Sequence, residues 1–152
     1  ELTDLFETYG EIKNAKRLSK AIIDNRRKNK ITTTSEFVRL VQREYEMKKN
    51  IPSKFFSKIF QALRIEVNNE LGDLAKVLED AFDMMQNGGR IVVISYHSLE
   101  DRIVKEFFRN KKSDKREIRI LTKKVVKPDY KEVRNNNRAR SAKLRAAEVI
   151  LT

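Results

Sequence analysis

Cysteine is absent from this 152-residue chain, which removes disulfides and thiolate metal sites and agrees with a reducing compartment. Histidine occurs once, as His97, so no second imidazole can share a metal, and no metal site is expected. There are only four glycines, Gly10, Gly72, Gly88 and Gly89, and none gives a Gly-x-Gly spacing after a strand. A nucleotide-type cofactor needs such a loop because only glycine lets the backbone approach it closely. A Walker loop is missing for the same reason, so no cofactor-binding residue is expected in this chain. No apolar run approaches the ~18 residues of a membrane span, and no signal-peptide pattern opens the chain. A soluble, cytoplasmic protein without a membrane partner is the expectation.

What is present in excess is positive charge, a formal +12. Between Lys105 and Arg145 there are 16 Lys or Arg against 5 Asp or Glu, whereas the remainder has 18 against 17. The surplus therefore lies in one C-terminal stretch. Such a concentration favours a polyanionic partner, because each neutralised phosphate releases condensed counterions. A lysine-rich face that serves only solubility is the bland alternative. The length suits one compact domain, or a small domain plus part of another, and should bury roughly 70% of the unfolded surface.

The first half reads as helices joined by short turns. Thr3–Tyr9 is a short helix closed by Gly10, and Asn14–Asn29 carries Ala15, Leu18 and Ile22 on one face. Thr33 to Glu36 has the capping-box pattern, with Phe37, Leu40 and Val41 beginning the next apolar stripe. A polar link, Lys48 to Ser53, includes Pro52. From Phe56 to Met85 apolar residues recur every three or four positions, with Gly72 marking a kink or break and Gly88–Gly89 a left-handed stop. The apolar run Ile91–Ile94 predicts a buried strand over Arg90–Ser95. A helix from about Leu99 to Arg109, capped by Ser98, follows. Lys111–Lys115 reads as a charged loop, Ile118–Val126 as a strand ended by Pro128, Asp129–Arg134 as a short helix, Asn135–Asn137 as a turn and Ser141–Leu151 as a final strand.

Residues 88–102, Gly-Gly-Arg-Ile-Val-Val-Ile-Ser-Tyr-His-Ser-Leu-Glu-Asp-Arg, place Ser95, His97 and Ser98 where a strand gives way to a helix. In an open α/β sheet, ligands bind beyond the carboxyl ends of the strands. His97 could contact a base or phosphate, move a proton, or be a hydrogen-bonded structural residue. Ser98, Glu100 and Asp101 suit a helix cap and its dipole. Arg64 and Asn68, four apart, are expected on one helix face beside Asn69. Arg138, Arg140, Lys143 and Arg145 are RNA-contact candidates, with Lys143 and Arg145 on one strand face opposite Ala142, Leu144 and Ala146.

The block at residues 88–108 and the block Phe-Gln-Ala-Leu-Arg-Ile-Glu-Val-Asn-Asn-Glu-Leu at Phe60–Leu71 resemble the RsmH (MraW) family of bacterial methyltransferases. Lys16–Arg26, Leu121–Pro128 and Arg138–Glu148 add weaker similarity. The resemblance implies an α/β fold: an all-α insert followed by the C-terminal strands of a Rossmann-like class I methyltransferase sheet, mixed and closing with an antiparallel hairpin. It places the insert, for substrate recognition, at residues 1–52, with about 60 as its outer limit, and the methyltransferase part at 53–152. It implies methyl transfer from S-adenosylmethionine to the N4 amino group of a cytidine in small-subunit (16S) ribosomal RNA. The glycine-rich and target-base motifs precede the matching region in such proteins, so this chain alone is expected to be inactive. Arg64, Asn68 and Asn69 would line the cleft, and a serine nucleophile has no role because the methyl group passes directly to nitrogen. The rival reading is a non-catalytic basic RNA-binding module. A strand at Ile91–Ile94 without its neighbour would expose an apolar edge, for which a homodimer or strand exchange is expected.

Overall fold

A computed structural model describes residues 1–45 and 53–151. The predicted link from Lys48 as far as Pro52 therefore lies outside the described residues. The chain divides into two compact units, Glu1–Asn69 and Glu70–Thr152. The first unit thus runs past the expected limits of 52 and about 60 and includes all of the helix that begins at Ser53.

The first unit contains helices α1 (Leu2–Thr8), α2 (Ala15–Lys28), α3 (Thr34–Glu44) and α4 (Ser53–Val67). Phe6, Leu18, Val41, Ile59 and Ala62 are fully buried in its core. The capping box at α3 forms: Glu36 N–H donates to Thr33 Oγ1 at 3.2 Å, and Thr33 N–H donates to the Glu36 carboxylate at 3.1 Å. Gly10 lets the turn after α1 approach α4, because a Cβ there would stand 2.8 Å from the Phe6 carbonyl and 3.2 Å from that of Lys58. The long helical pattern breaks at Asn68–Asn69, with Asn69 at φ +51, and not at Gly72. Asparagine tolerates the left-handed region, so it can end a helix without glycine.

The second unit contains α5 (Glu70–Met84), β1 (Arg90–Ser95), α6 (Ser98–Asn110), β2 (Lys112–Ser113), β3 (Arg116–Ile120), α7 (Tyr130–Asn135), a 3₁₀ turn (Asn137–Ser141) and β4 (Lys143–Leu151). The strands lie in the order β1-β4-β3-β2, and every pairing is antiparallel. Among the described residues the sheet is therefore wholly antiparallel rather than mixed, while the expected antiparallel partner of the last strand is present as β3. Lys111–Lys115 is not a simple loop, since β2 and β3 form a tight hairpin through it. The strand expected to reach Val126 ends at Ile120, and Val126 rejoins the sheet by a bridge to Leu144.

Helices α5 and α6 pack together, and α6 covers one face of the sheet. Leu78, Phe82, Val104 and Phe108 meet Ile91, Ala147 and Val149 there. The expected burial of Ile91–Ile94 holds for Ile91, with Val93 half-buried. Ile91 is buried, whereas Val92 is 56% exposed and Ile94 54%. The physical reason is the pleat: alternate side chains face opposite ways, and the described helices cover one face only.

Arg116 ties β3 to the end of α5. Its guanidinium donates to the carbonyls of Phe82 and Asp83 at 3.1 and 3.0 Å and lies 5.1 Å from the Phe82 ring centre. A cation at a helix C-terminus satisfies open carbonyls and complements the dipole. Replacing Arg116 by Met should lower the unfolding free energy by about 1–2 kcal/mol, read as a lower urea midpoint with an unchanged slope.

Candidate nucleic-acid interface and the His97 turn

The end of β1 is shaped by a cap one residue earlier than expected. His97, with extended backbone at φ −133 and ψ 169, is the N-cap of α6, and Ser98 is the first helical residue. Serine is the commoner cap, which is why the sequence pointed one residue too far. Glu100 N–H donates to His97 Nδ1 at 3.3 Å. The Glu100 carboxylate folds back to accept from Tyr96 N–H at 2.8 Å and His97 N–H at 3.3 Å. Ser95 is buried, its hydroxyl 3.4 Å from the Lys143 carbonyl across the β1–β4 pair.

Glu70, His97 and Glu100 offer ligand atoms within 4.8 Å of one another, a grouping that residue spacing did not reveal. Its chemistry follows from the cap. A nitrogen that accepts a backbone N–H carries no proton, so the neutral imidazole bears its proton on Nε2. That atom is buried and lies 3.2 Å from Glu100 Oε1. Coordination through Nε2 would move the proton to Nδ1 and break the cap. The arrangement suits a held hydrogen-bond donor better than a metal ligand.

The basic stretch is not uniform either. Four of its cations have intramolecular work: Lys111 pairs with Glu79, Arg116 caps α5, Arg119 donates to Glu148 at 2.7 Å, and Arg145 donates to Asp101 at 2.7 and 3.2 Å. The register places Lys143 and Arg145 on the same face as Ser95 and Val93, the face that α6 covers. The Arg145 side chain is only 13% exposed and its two-pronged contact fixes α6 to β4. This placement turns it away from solvent and makes it a structural partner of Asp101.

Between β3 and β4 the chain makes an excursion through residues 121–142. It carries Lys123, Lys124, Lys127, Lys131, Arg134, Arg138 and Arg140, all exposed, against Asp129 and Glu132. Its backbone is tied down. Thr122 Oγ1 accepts from Ala146 N–H at 2.9 Å, and Val126 and Leu144 exchange bonds at 3.0 and 2.8 Å. Asp129 caps α7 by accepting from Glu132 N–H at 2.7 Å, and Ala139 is buried. The excursion is thus an ordered arm, tied to β4, that carries seven exposed cations. Arg138 and Arg140 sit on its 3₁₀ turn as exposed residues.

Of the remaining predicted residues, Arg64 lies on α4, Asn68 follows one turn later with its N–H donating to the Arg64 carbonyl at 3.0 Å, and Asn68–Asn69 form the turn that ends the helix. All three belong to the first unit, and the His97 turn to the second. Among the described residues no helix is long and apolar enough to cross a membrane.

A helical unit followed in sequence by an α/β unit, with a polar turn at a strand's carboxyl end, is consistent with the methyltransferase class of α/β proteins. Comparison with known sequences makes the assignment specific. Residues 1–150 match the MraW methylase family. The chain is 42% identical to the ribosomal RNA small subunit methyltransferase H of Clostridioides difficile, over 99% of its own length and 53% of that protein's. It is 44% identical to the protein of the same name from Persephonella marina, over 99% and 51% of the two chains. For that of Dictyoglomus thermophilum the identity is also 44%, over 97% and 48%. The chain belongs to the MraW methylase family. It spans about half the length of the curated relatives it matches.

The Arg145 hydrogen bonds hold the Asp101 carboxyl below its ordinary value of 3.8. A carboxyl depressed on folding stabilises the fold above its unfolded pKa, and that contribution disappears as pH falls through the folded one. Asp101→Asn should therefore cost about 2 kcal/mol at neutral pH. Urea midpoints measured downward from about pH 4 should show the difference from wild type shrinking as the native carboxyl protonates.

Proposed function

We propose that this chain is the substrate-side part of an S-adenosylmethionine-dependent ribosomal RNA methyltransferase that modifies the N4 amino group of a cytidine in small-subunit RNA. The observation that carries the RNA half of this reading is the ordered arm of residues 121–142, with its row of exposed cations. The methyl-transfer half rests on family membership and on the names of the relatives.

The residues of this chain do not fit the cofactor itself. Gly88, at φ +81, and Gly89 turn the chain from α5 into the start of β1, the end opposite the His97 turn. A Cβ on Gly89 would stand 2.9 Å from the Gln86 carbonyl and the Met85 sulfur, so this glycine serves a tight turn. We assign the cofactor to the part of the relatives' length that this chain does not span. His97 then serves as a fixed Nε2–H donor at the edge of the reaction site, and Arg138 and Arg140 contact RNA phosphate. The domain reading becomes a helical substrate-recognition unit through Asn69 and a methyltransferase part from Glu70. A cytoplasmic location goes with this reading.

Titrating small-subunit RNA fragments and S-adenosylmethionine separately into the 152-residue chain tests it. RNA should bind with affinity that falls steeply with salt, and Arg138→Ala with Arg140→Ala should reduce the logarithmic salt slope by about 2. The cofactor should give no saturable heat. Stoichiometric cofactor binding would overturn the division, and absence of RNA binding at low salt would overturn the substrate-side assignment.

The non-catalytic RNA-binding module remains the second reading, favoured by the same arm. A self-association proposal also has a specific observation behind it. Strand β1 pairs on one side only among the described residues, and its outward Val92 and Ile94 are exposed. A free apolar edge invites a further strand, from the rest of a longer protein or from a second copy. Light scattering of the 152-residue chain should show a dimer whose population rises with concentration, and Val92→Lys should return it to monomer.

A further inference from the structure

We infer that the arm and the neighbouring end of β1 select unpaired RNA, with Tyr130 and Tyr96 stacking on exposed bases. This rests on the RNA reading above and names the form of RNA the surface takes. Four observations converge on it. Tyr130 is 82% exposed and Tyr96 55%, a large aromatic area left uncovered by the described residues. A crevice lined by Ile94, Val126, Pro128, Glu132 and Leu144 brings the end of β1 and the start of the arm together. Tyr96 lies two residues beyond Ile94, and Tyr130 two beyond Pro128, so each follows closely in sequence on a residue that lines the crevice. Exposed Lys127 and Lys131 bracket Tyr130 in sequence, and Arg138 and Arg140 follow on the same arm.

The chemistry separates single strands from duplexes. In a duplex the base faces are stacked on one another, and only the phosphates are open to a surface such as this. An unpaired strand offers both, and aromatic rings interleaved with cations match both. The cations account for affinity towards any RNA, whereas the tyrosines add only where a base can be splayed out. The backbone bonds from Val126 to Leu144, at 2.8 and 3.0 Å, hold the arm in register, so the rings need little ordering on binding. A protein partner for the same apolar crevice is the competing occupant, but Lys127 in its lining and the exposed cations along the arm favour a polyanion.

The test uses the whole 152-residue chain with a short labelled oligoribonucleotide, presented either alone or annealed to its complement. Fluorescence anisotropy should show tighter binding of the unpaired strand. Tyr130→Ala should weaken that binding by about 10-fold while leaving duplex binding and the salt slope unchanged. Tyr130→Phe keeps the ring face and should bind as wild type. Tyr96→Ala should weaken unpaired binding in the same direction. Because Tyr130 is so exposed, its variants will fold. Equal affinity for both RNA forms, or unchanged binding in both alanine variants, would overturn the stacking role while leaving the RNA reading intact. No binding of either RNA at low salt would instead remove the RNA reading beneath it.

Discussion

The second unit depends on β4, the last strand in the chain and the one in the middle of the sheet. Its register pairs Ile91 with Ala147 and Val93 with Arg145 on one side, and Ile118 with Val149 on the other. Neither β1 nor β3 has the other as a partner, so the sheet cannot close until residues 143–151 are in place. The same strand supplies Ala147 and Val149 to the core and Arg145 to the Asp101 pair that holds α6. It is also the rail to which the basic arm is tied at Thr122 and Val126. Core, helix docking and candidate RNA surface thus share one long-range pairing, whose loop-closure entropy must be met before any of them forms.

That dependence explains how charge is apportioned in the C-terminal stretch. Cations whose side chains return to the core face or to a helix end are matched there: Arg145 to Asp101, Arg116 to the α5 carbonyls and Lys111 to Glu79. Burying even part of a guanidinium is costly unless its donors are satisfied, and each of these has its acceptor. Arg119 meets Glu148 on the opposite face and draws that carboxyl below its ordinary value. The cations of the arm do not turn inward, and their charge is carried at the surface.

Periodicity made the helices legible almost to their ends, because apolar spacing and capping boxes are local signals. Asn14–Asn29 was expected and Ala15–Lys28 formed, and the Thr33–Glu36 box closed as its residue types require. What escaped was decided by distant contacts. The pleat exposes Val92 and Ile94 because helices cover one face only, which no run of four apolar residues can announce. Strand β3 stops at Ile120, and the antiparallel bonds then resume at Val126, where β4 fixes the position. At the site, His97, Ser95 and the arginines were legible as residue types at a strand end. Their partners were not. Glu70 approaches His97 from another helix, and Asp101 meets Arg145 across 44 positions of sequence.

The division between what this chain completes and what it leaves open also bears on function. Both core clusters close within the described residues, with Phe6, Ile59, Phe82 and Val149 buried. The uncovered parts are the outer face of β1 and its free edge, beside the carboxyl end where the His97 turn lies. In an open α/β sheet a nucleotide-type cofactor lies beyond adjacent strand ends and needs a glycine turn on one of them, which the end of β1 does not supply. The basic arm needs nothing there, since its anchors are all on β4. If the arm is the RNA-contacting surface proposed above, that contact is structurally independent of whatever lies beyond β1.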